Sequence, residues 1–144
     1  LLVQKLIPIV HEEWTHFKLV LDELKKRNLK LGEQRRDEYV FLLNKFFTKG
    51  NTKAVRFLDN LLMSALIEAR SCERFRLLSL QINDKELQKF YHNLMVAEAN
   101  HYKLFLDLAN VYFDKEKVKK RWSEWLEYEA NIMKELELRG DRMH

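Results

Sequence analysis

Two Glu-x-x-His pairs, Glu13 with His16 and Glu98 with His101, are the residues of this sequence best suited to chemistry. The i, i+3 spacing places a carboxylate and an imidazole one turn apart on the same helix face, where both can bind one cation. A third carboxylate, Glu68, lies in the stretch ALIEARSCERF, inside an otherwise apolar helix face. Mixed oxygen and nitrogen ligands suit iron, manganese or zinc, so the pattern predicts a metal site.

The elements that must position these side chains are predicted to be helices. Apolar residues recur at spacings of three and four throughout the 144 residues, and only three glycines and one proline interrupt them. This periodicity predicts an all-α fold. The first helix is expected to end near Lys30, before Gly32, with Pro8 tolerated near its start. Four further helices are expected over about 33–48, 53–81, 84–113 and from 114 to a point before Gly140.

Several residues punctuate these predicted helices. Gly50, Asn51 and Thr52 are expected to end the second helix. Asn83, with Glu86 three residues later, is typical of a capping box that opens the fourth helix. Asp114 is expected to cap the last helix.

The three glutamates lie in the middle of the apolar stripes of three long helices, where an uncompensated charge is costly. An ionised carboxylate buried without a partner costs several kcal/mol. Bound metal supplies the compensating charge, and Glu helices combined with Glu-x-x-His helices are typical of di-iron carboxylate bundles. The alternative is a chance occurrence of two Glu-x-x-His pairs. The position of all three glutamates in mid-stripe favours the metal site.

The charges of such a site do not balance with these residues alone. Glu13, Glu68 and Glu98 carry three negative charges against the four positive charges of two ferrous ions. Glu129 lies on the stripe of the last helix and is one candidate for a further ligand. We favour instead a carboxylate on a helix upstream of Leu1, because the chain does not begin with Met and such a helix would complete a four-helix bundle.

Residues next to Glu68 have two interpretations each. Cys72, one turn away, is either a thiol that fills space or, less favoured, a ligand. Arg70, Glu73 and Arg74 either donate or accept hydrogen bonds around the ligands or are simply solvated.

Charge and composition narrow the function classes. The stretch from Lys25 to Arg56 contains ten basic residues and three acidic ones, in a chain of net charge +4. This stretch is either a surface for a polyanion or a solvated face. Trp122 and Trp125 are expected to pack, with stacking on a base as the alternative. A single cysteine argues against a disulfide scaffold and for the reducing cytoplasm, and no apolar run is long enough to span a membrane.

Four sequence blocks closely resemble one enzyme family. They are ALIEARSCERF, Phe90-Tyr91, the block from Ala97 to Tyr102, and the block from Glu12 to Phe17. Together they resemble the tRNA 2-methylthio-N6-isopentenyladenosine hydroxylase family (MiaE), over most of the chain from about Leu6. Members of this family are ferritin-like di-iron monooxygenases.

The resemblance implies a fold, a cofactor and a reaction. The expected fold is one ferritin-like domain over 1–144, a four-helix bundle with a crossover helix and an extra C-terminal helix, whose first bundle helix is missing here. The expected reaction uses O2 and electrons from a ferredoxin-type protein or a reductase to hydroxylate the isopentenyl group of a tRNA adenosine next to the anticodon. Five of the six ligands of the two irons are expected to be Glu13, His16, Glu68, Glu98 and His101.

An apolar pocket for the substrate tail is expected beside the irons, lined by Val20, Leu61, Ala65, Leu94 or Phe105. Two other functions stay open at this point. One is a ferritin-like ferroxidase or iron-binding protein without a tRNA substrate. The other is a metal-free helical module that binds nucleic acid or protein.

Overall fold

Five α-helices account for most of the residues that the computed structural model describes, which are 1–47 and 52–136. No strand occurs within these two ranges, as the all-α prediction requires. The chain divides into two compact units, Leu1–Arg36 and Asp37–His144, and each is described by itself. The single domain expected over 1–144 stays a prediction. The helices are α1 (Leu2–Lys26), α2 (Glu38–Asn44), α3 (Lys53–Gln81), α4 (Lys85–Tyr112) and α5 (Lys115–Glu135).

Helix α1 ends at Lys26, four residues before the predicted end at Lys30. Asn28 adopts a left-handed conformation with φ of 56°. Its backbone N–H donates to the carbonyl of Lys25 at 3.0 Å, and the N–H of Leu29 donates to the carbonyl of Leu24 at 2.9 Å. These two bonds form a Schellman motif, which satisfies the last carbonyls and stops the helix before Gly32 is reached.

One large part of α1 remains accessible to solvent. Apolar side chains at alternating steps of four and three are between 41% and 67% exposed, and they form an apolar face along the helix. We call this set the α1 ridge; it consists of Val3, Ile7, Val10, Trp14 and Phe17. None of the helices in the described ranges is long and apolar enough to cross a membrane.

The second unit shows which cap predictions are right. Helix α3 has the predicted bounds, and the hydroxyl of Thr52 accepts a hydrogen bond from the N–H of Val55 at 3.3 Å. Asp114 caps α5 as predicted. The prediction of Asn83 as the cap of α4 is wrong, because the Asp84 carboxylate accepts bonds from two N–H groups of the first turn, at 2.9 and 3.0 Å. A carboxylate also interacts favourably with the positive end of the helix.

Helix α2 is shorter than the helix predicted over 33–48. It begins at Glu38, because Asp37 accepts the hydrogen bond from the N–H of Val40 at 3.0 Å and so caps the helix there. The predicted end at Thr48 and the break at Gly50 and Asn51 lie outside the described residues. The last helix ends at Glu135, which agrees with the prediction that it ends before Gly140.

The core of the second unit lies between α3 and α4, which pack along most of their length. Helix α5 packs on both helices of this pair, and α2 packs on α5. The side chain of Trp125 on α5 is fully buried and meets the rings of Phe46 and Phe47, which follow α2, edge to face. The buried apolar residues include Tyr39, Leu43, Leu58, Leu61, Leu62, Ala65, Leu66, Leu94, Phe105, Leu108, Ala109, Val118 and Ile132.

Helix α5 is also attached to α3 through a buried ion pair. Asp59, which is 0% exposed, accepts two hydrogen bonds from Arg121, at 2.7 and 3.0 Å. The indole N–H of Trp125 donates to the same carboxylate at 3.0 Å. Because a buried charge without a partner is costly, this arrangement fixes where α5 packs on α3.

Candidate metal centre

Helices α3 and α4 bring three predicted ligands together: Glu68, Glu98 and His101. Each offers one ligand atom, and these atoms lie within 4.8 Å of one another. Nδ1 of His101 is 3.5 Å from Oε2 of Glu68. Two ligand atoms bound at about 2.1 Å to one ion are at most about 4.2 Å apart. The distance between Glu68 and His101 is therefore compatible with a shared ion.

The burial of this group follows from its place in the helices. Glu98 and His101 are 6% and 3% exposed, and they lie on α4 between the buried residues Leu94 and Phe105. Glu68 lies on α3, one turn after the fully buried Ala65. Glu98 is buried and Glu68 is partly buried, and both lie in the middle of a helix, far from its termini. A bound cation would balance two such carboxylates.

The other Glu-x-x-His pair has the geometry that its spacing predicts. On α1, Nδ1 of His16 lies 3.4 Å from Oε1 of Glu13. The Glu13 side chain is 48% exposed and that of His16 is 18% exposed. The pair belongs to the first unit and presents one oxygen and one nitrogen ligand on the same helix face.

Glu129, the alternative ligand, is engaged elsewhere. Its carboxylate accepts hydrogen bonds from Nε and Nη2 of Arg70, at 2.6 and 3.0 Å, and from the hydroxyl of Tyr39 at 2.6 Å. Burial, and then the bond to Glu129, raise the pKa of Tyr39 well above its usual range. The bond to Glu129 also raises the pKa of Arg70. This cluster joins α2, α3 and α5, and it makes Glu129 a structural anchor.

The neighbours of Glu68 follow from the same cluster. Arg70 donates to Glu129 and, through Nη1, to Glu73 at 2.6 Å. Of the two interpretations left open for Arg70, neither describes its main contacts, which are the bonds to Glu129 that anchor α5 and the bond to the exposed Glu73. Cys72 is a half-buried free thiol outside the group of ligand atoms. Its pKa is raised by burial and next by the negative charge of Glu98.

Comparison with known proteins decides the family. The family model described as tRNA-(MS[2]IO[6]A)-hydroxylase (MiaE) matches residues 1–144. The chain belongs to the MiaE family. This match confirms the resemblance to the MiaE family that the four sequence blocks indicate.

Two curated relatives carry the name tRNA 2-(methylsulfanyl)-N(6)-isopentenyladenosine(37) hydroxylase. The protein from Pseudomonas putida is 36% identical over 113 residues, which are 78% of this chain and 54% of the relative. The protein from Salmonella typhimurium is 37% identical over 114 residues, which are 75% of this chain and 39% of the relative. This MiaE family chain thus spans about half the length of its curated relatives, or less.

A solved structure supports the fold of the MiaE family chain. It is described as protein 43 with aldehyde deformylating oxygenase activity from Synechococcus. The two share 32% identity with a TM-score of 0.83, over 97% of this chain and 67% of that one. The prediction of an all-α, ferritin-like fold is confirmed.

Proposed function

We propose that this protein is a di-iron monooxygenase that hydroxylates the isopentenyl side chain of 2-methylthio-isopentenyladenosine next to the anticodon of tRNA. The observation that carries the proposal is the convergence of Glu68, Glu98 and His101 within 4.8 Å, in a chain of the MiaE family. Two acids and an imidazole that are mostly buried form a ligand set suited to iron.

The site is proposed to hold two irons through both Glu-x-x-His pairs and Glu68. The pair on α1 would add Glu13 and His16, so that the protein supplies three carboxylates and two imidazoles. A sixth ligand is expected from a carboxylate on another helix. The α1 ridge supports this, because an apolar helix face next to Glu13 is what a further bundle helix would cover.

The chemistry requires a redox metal and a source of electrons. When bound, the two irons would supply the activation of O2 that side-chain acids and bases cannot perform on an allylic C–H bond. One oxygen atom enters the C–H bond and the other leaves as water, which consumes two electrons and two protons. A ferredoxin-type protein or a reductase is the proposed donor of the electrons.

The apolar residues around the ligand group exclude water from it. Leu61, Ala65, Leu94 and Phe105 are at most 9% exposed and lie one or two turns from the ligands. They keep the ligand group in a dry environment, where electrostatic interactions are strong. Val20, which was also expected near the substrate, is 37% exposed on α1.

The polyanionic part of the substrate is proposed to meet basic residues between Lys25 and Arg56. Arg35 and Arg36 are exposed in this stretch, as are Lys25 and Lys30. Their charges would attract the phosphates of tRNA in a salt-dependent manner. The reaction is proposed to take place in the cytoplasm, where mature tRNA and reduced thiols occur together.

Deletion of the gene tests this function in the natural host. Nucleoside mass spectrometry of tRNA should show the isopentenyl adenosine without its hydroxyl group, while earlier modifications persist. Complementation with the wild-type gene should restore the hydroxyl group, and a Glu68→Ala gene should not. Normal hydroxylated adenosine in the deletion strain would refute the proposal.

Metal analysis of the purified protein separates the two other functions. The proposal predicts two irons for each chain and their loss in Glu68→Ala. A ferroxidase-type protein would also bind iron but would leave tRNA unchanged after gene deletion. A metal-free binding module would keep its function in Glu68→Ala, and its fold would become more stable because a buried charge is removed.

A further inference from the structure

A groove of about 440 Å³ lies between α3, α4 and α5, all within the second unit. This volume is within the range of about 300 to 1,000 Å³ that is typical of ligand pockets. Ala69, Ala99 and Leu126 form apolar walls, and Tyr102 and Trp122 add two aromatic rings. None of the grouped ligands, Glu68, Glu98 and His101, lines this groove.

The aromatic walls are accessible from solvent. Trp122 and Tyr102 are half-buried, while Leu126 is 42% exposed and Ala99 is exposed as well. The centroids of the two rings are 6.3 Å apart and their planes are tilted by 46°, so the rings do not stack on each other. Both rings line the groove, and aromatic rings in such a position can stack with unpaired bases.

The charges inside the groove are compensated. Glu73 and Glu129 line it, but Arg70 binds both of them. Arg76 also lines the groove and is exposed. Acidic residues therefore do not repel an anion here.

Two lysines of α5 lie on the helix face that leads to the groove. Lys115, Lys119, Trp122 and Leu126 follow one another at steps of four, three and four, which places them on the same helix face. Both lysines are exposed. A row of lysines that leads to an aromatic platform is the arrangement that single-stranded nucleic acid requires, since phosphates bind the charges and bases stack on the rings.

The groove is adjacent to the ligand group but distinct from it. Ala99 and Tyr102 directly follow Glu98 and His101 on α4, and one residue corresponds to a rotation of about 100° around the helix. A base in the groove would therefore lie on the neighbouring face of α4 rather than among the carboxylates. It belongs to a nucleotide other than the one that reacts.

We propose that this groove binds an unpaired nucleotide that flanks the reacting one, with its base stacked on Trp122 and its phosphate paired with Lys119. This inference rests on the proposed function, because it takes RNA as the substrate.

Binding of a fluorescein-labelled RNA hairpin with an unpaired loop tests the inference by anisotropy at several salt concentrations. Trp122→Ala should weaken binding by about 10-fold or more without changing the salt dependence, and Trp122→Tyr should restore most of the affinity. Lys119→Gln should reduce the salt slope by about 0.7, as expected for one lost phosphate contact to a single strand.

Two controls and one independent measurement accompany these variants. Lys134→Gln removes the same charge about 22 Å further along α5 than Lys119 and is expected to have less effect on binding than Lys119→Gln. A fully paired RNA duplex should bind wild type and Trp122→Ala equally, since it offers no base for stacking. With a photoreactive thiouridine in the loop, crosslinks of the wild-type protein should map to the peptide that contains Trp122.

The outcomes distinguish this inference from the proposed function. If RNA binding and crosslinks depend only on residues between Lys25 and Arg56, the groove is not the subsite, but the proposed function stands. If Trp122→Ala binds RNA normally but lowers hydroxylation only when electrons come from the protein donor, the groove is a donor-docking site and the inference is wrong. Normal hydroxylated adenosine after gene deletion would refute the proposed function itself.

Discussion

Arg70 and Glu129 are 59 residues apart in the sequence, yet they form a two-pronged ion pair with bonds of 2.6 and 3.0 Å. Tyr39 donates a third hydrogen bond to the same carboxylate. The carboxylate is buried, whereas the Arg70 side chain is 29% exposed. The pair therefore holds three helices together through one acidic residue, and removal of Glu129 would leave two donors without their acceptor.

Replacement of Glu129 should affect stability but not the metal site. We expect Glu129→Gln to lower the free energy of unfolding by about 2 to 3 kcal/mol, since a buried ion pair loses its charge. Urea denaturation measures this change. Glu127→Gln, at an exposed position of the same helix, should cost less than about 0.5 kcal/mol. Iron content should stay at the wild-type level, and its loss would show that Glu129 is a ligand after all.

Tyr39 should make stability depend on alkaline pH. Its pKa is raised in the folded protein, above the ordinary value of about 10. The contribution of the Tyr39 hydroxyl to the free energy of unfolding is fully present below about pH 10. It falls as the pH rises further, because the hydroxyl loses its proton more readily in the unfolded chain than in the folded protein. The difference in unfolding free energy between wild type and Tyr39→Phe should therefore begin to shrink above about pH 10 and be smaller at about pH 11 than at about pH 9. A constant difference over this interval would contradict the assignment.

Loss of the buried pair of Asp59 and Arg121 should lower the free energy of unfolding more than loss of the pair of Arg70 and Glu129. Asp59→Ala removes a fully buried carboxylate that binds Arg121 and Trp125. We expect a loss of about 3 kcal/mol in the free energy of unfolding, because the remaining donors stay in a desolvated position. Asp107→Ala, at an exposed position of α4, is the matched control. Equal effects of both variants would argue against a role for the buried pair.

The end of α1 offers a prediction about the backbone. Asn28 has a positive φ, which glycine adopts without strain and alanine does not. We expect Asn28→Ala to be about 1 kcal/mol less stable than Asn28→Gly. Thermal unfolding followed by circular dichroism compares the two variants. A more stable alanine variant would show that α1 continues through this position.

The long helices and the candidate metal ligands follow from local spacing, which one sequence shows directly; the helices are confirmed, and the ligands stay a prediction. The bounds of α3 agree with the structure, since Thr52 is a strong capping residue and an apolar stripe follows it. The Glu-x-x-His pairs are equally local. The end of α1 was missed because an asparagine, rather than Gly32, takes the left-handed position. Asn83 and Asp84 are both able to cap a helix, and only the backbone geometry selects Asp84.

The ion-pair partners that are far apart in the sequence could not be predicted from one sequence. Asp59 does not fall on the stripe through Leu58 and Leu61, although its apolar neighbours are a signal of burial. Its partner Arg121 is 62 residues away. Periodicity marks a residue as inside or outside, but it does not say which buried acid meets which base. Periodicity also leaves two roles open for Trp122, packing or stacking on a base, and the structure places its half-buried ring beside Tyr102 at the wall of a groove.

The two ion pairs of α5 also determine the direction in which this helix runs. Along α3 an acid, Asp59, precedes a base, Arg70, whereas along α5 the base Arg121 precedes the acid Glu129. Opposite charges meet only when the two helices are parallel. If α5 were reversed, arginine would face arginine and carboxylate would face carboxylate. The order of these four charged residues therefore disfavours the inverted topology, and only the parallel arrangement of α5 and α3 pairs opposite charges.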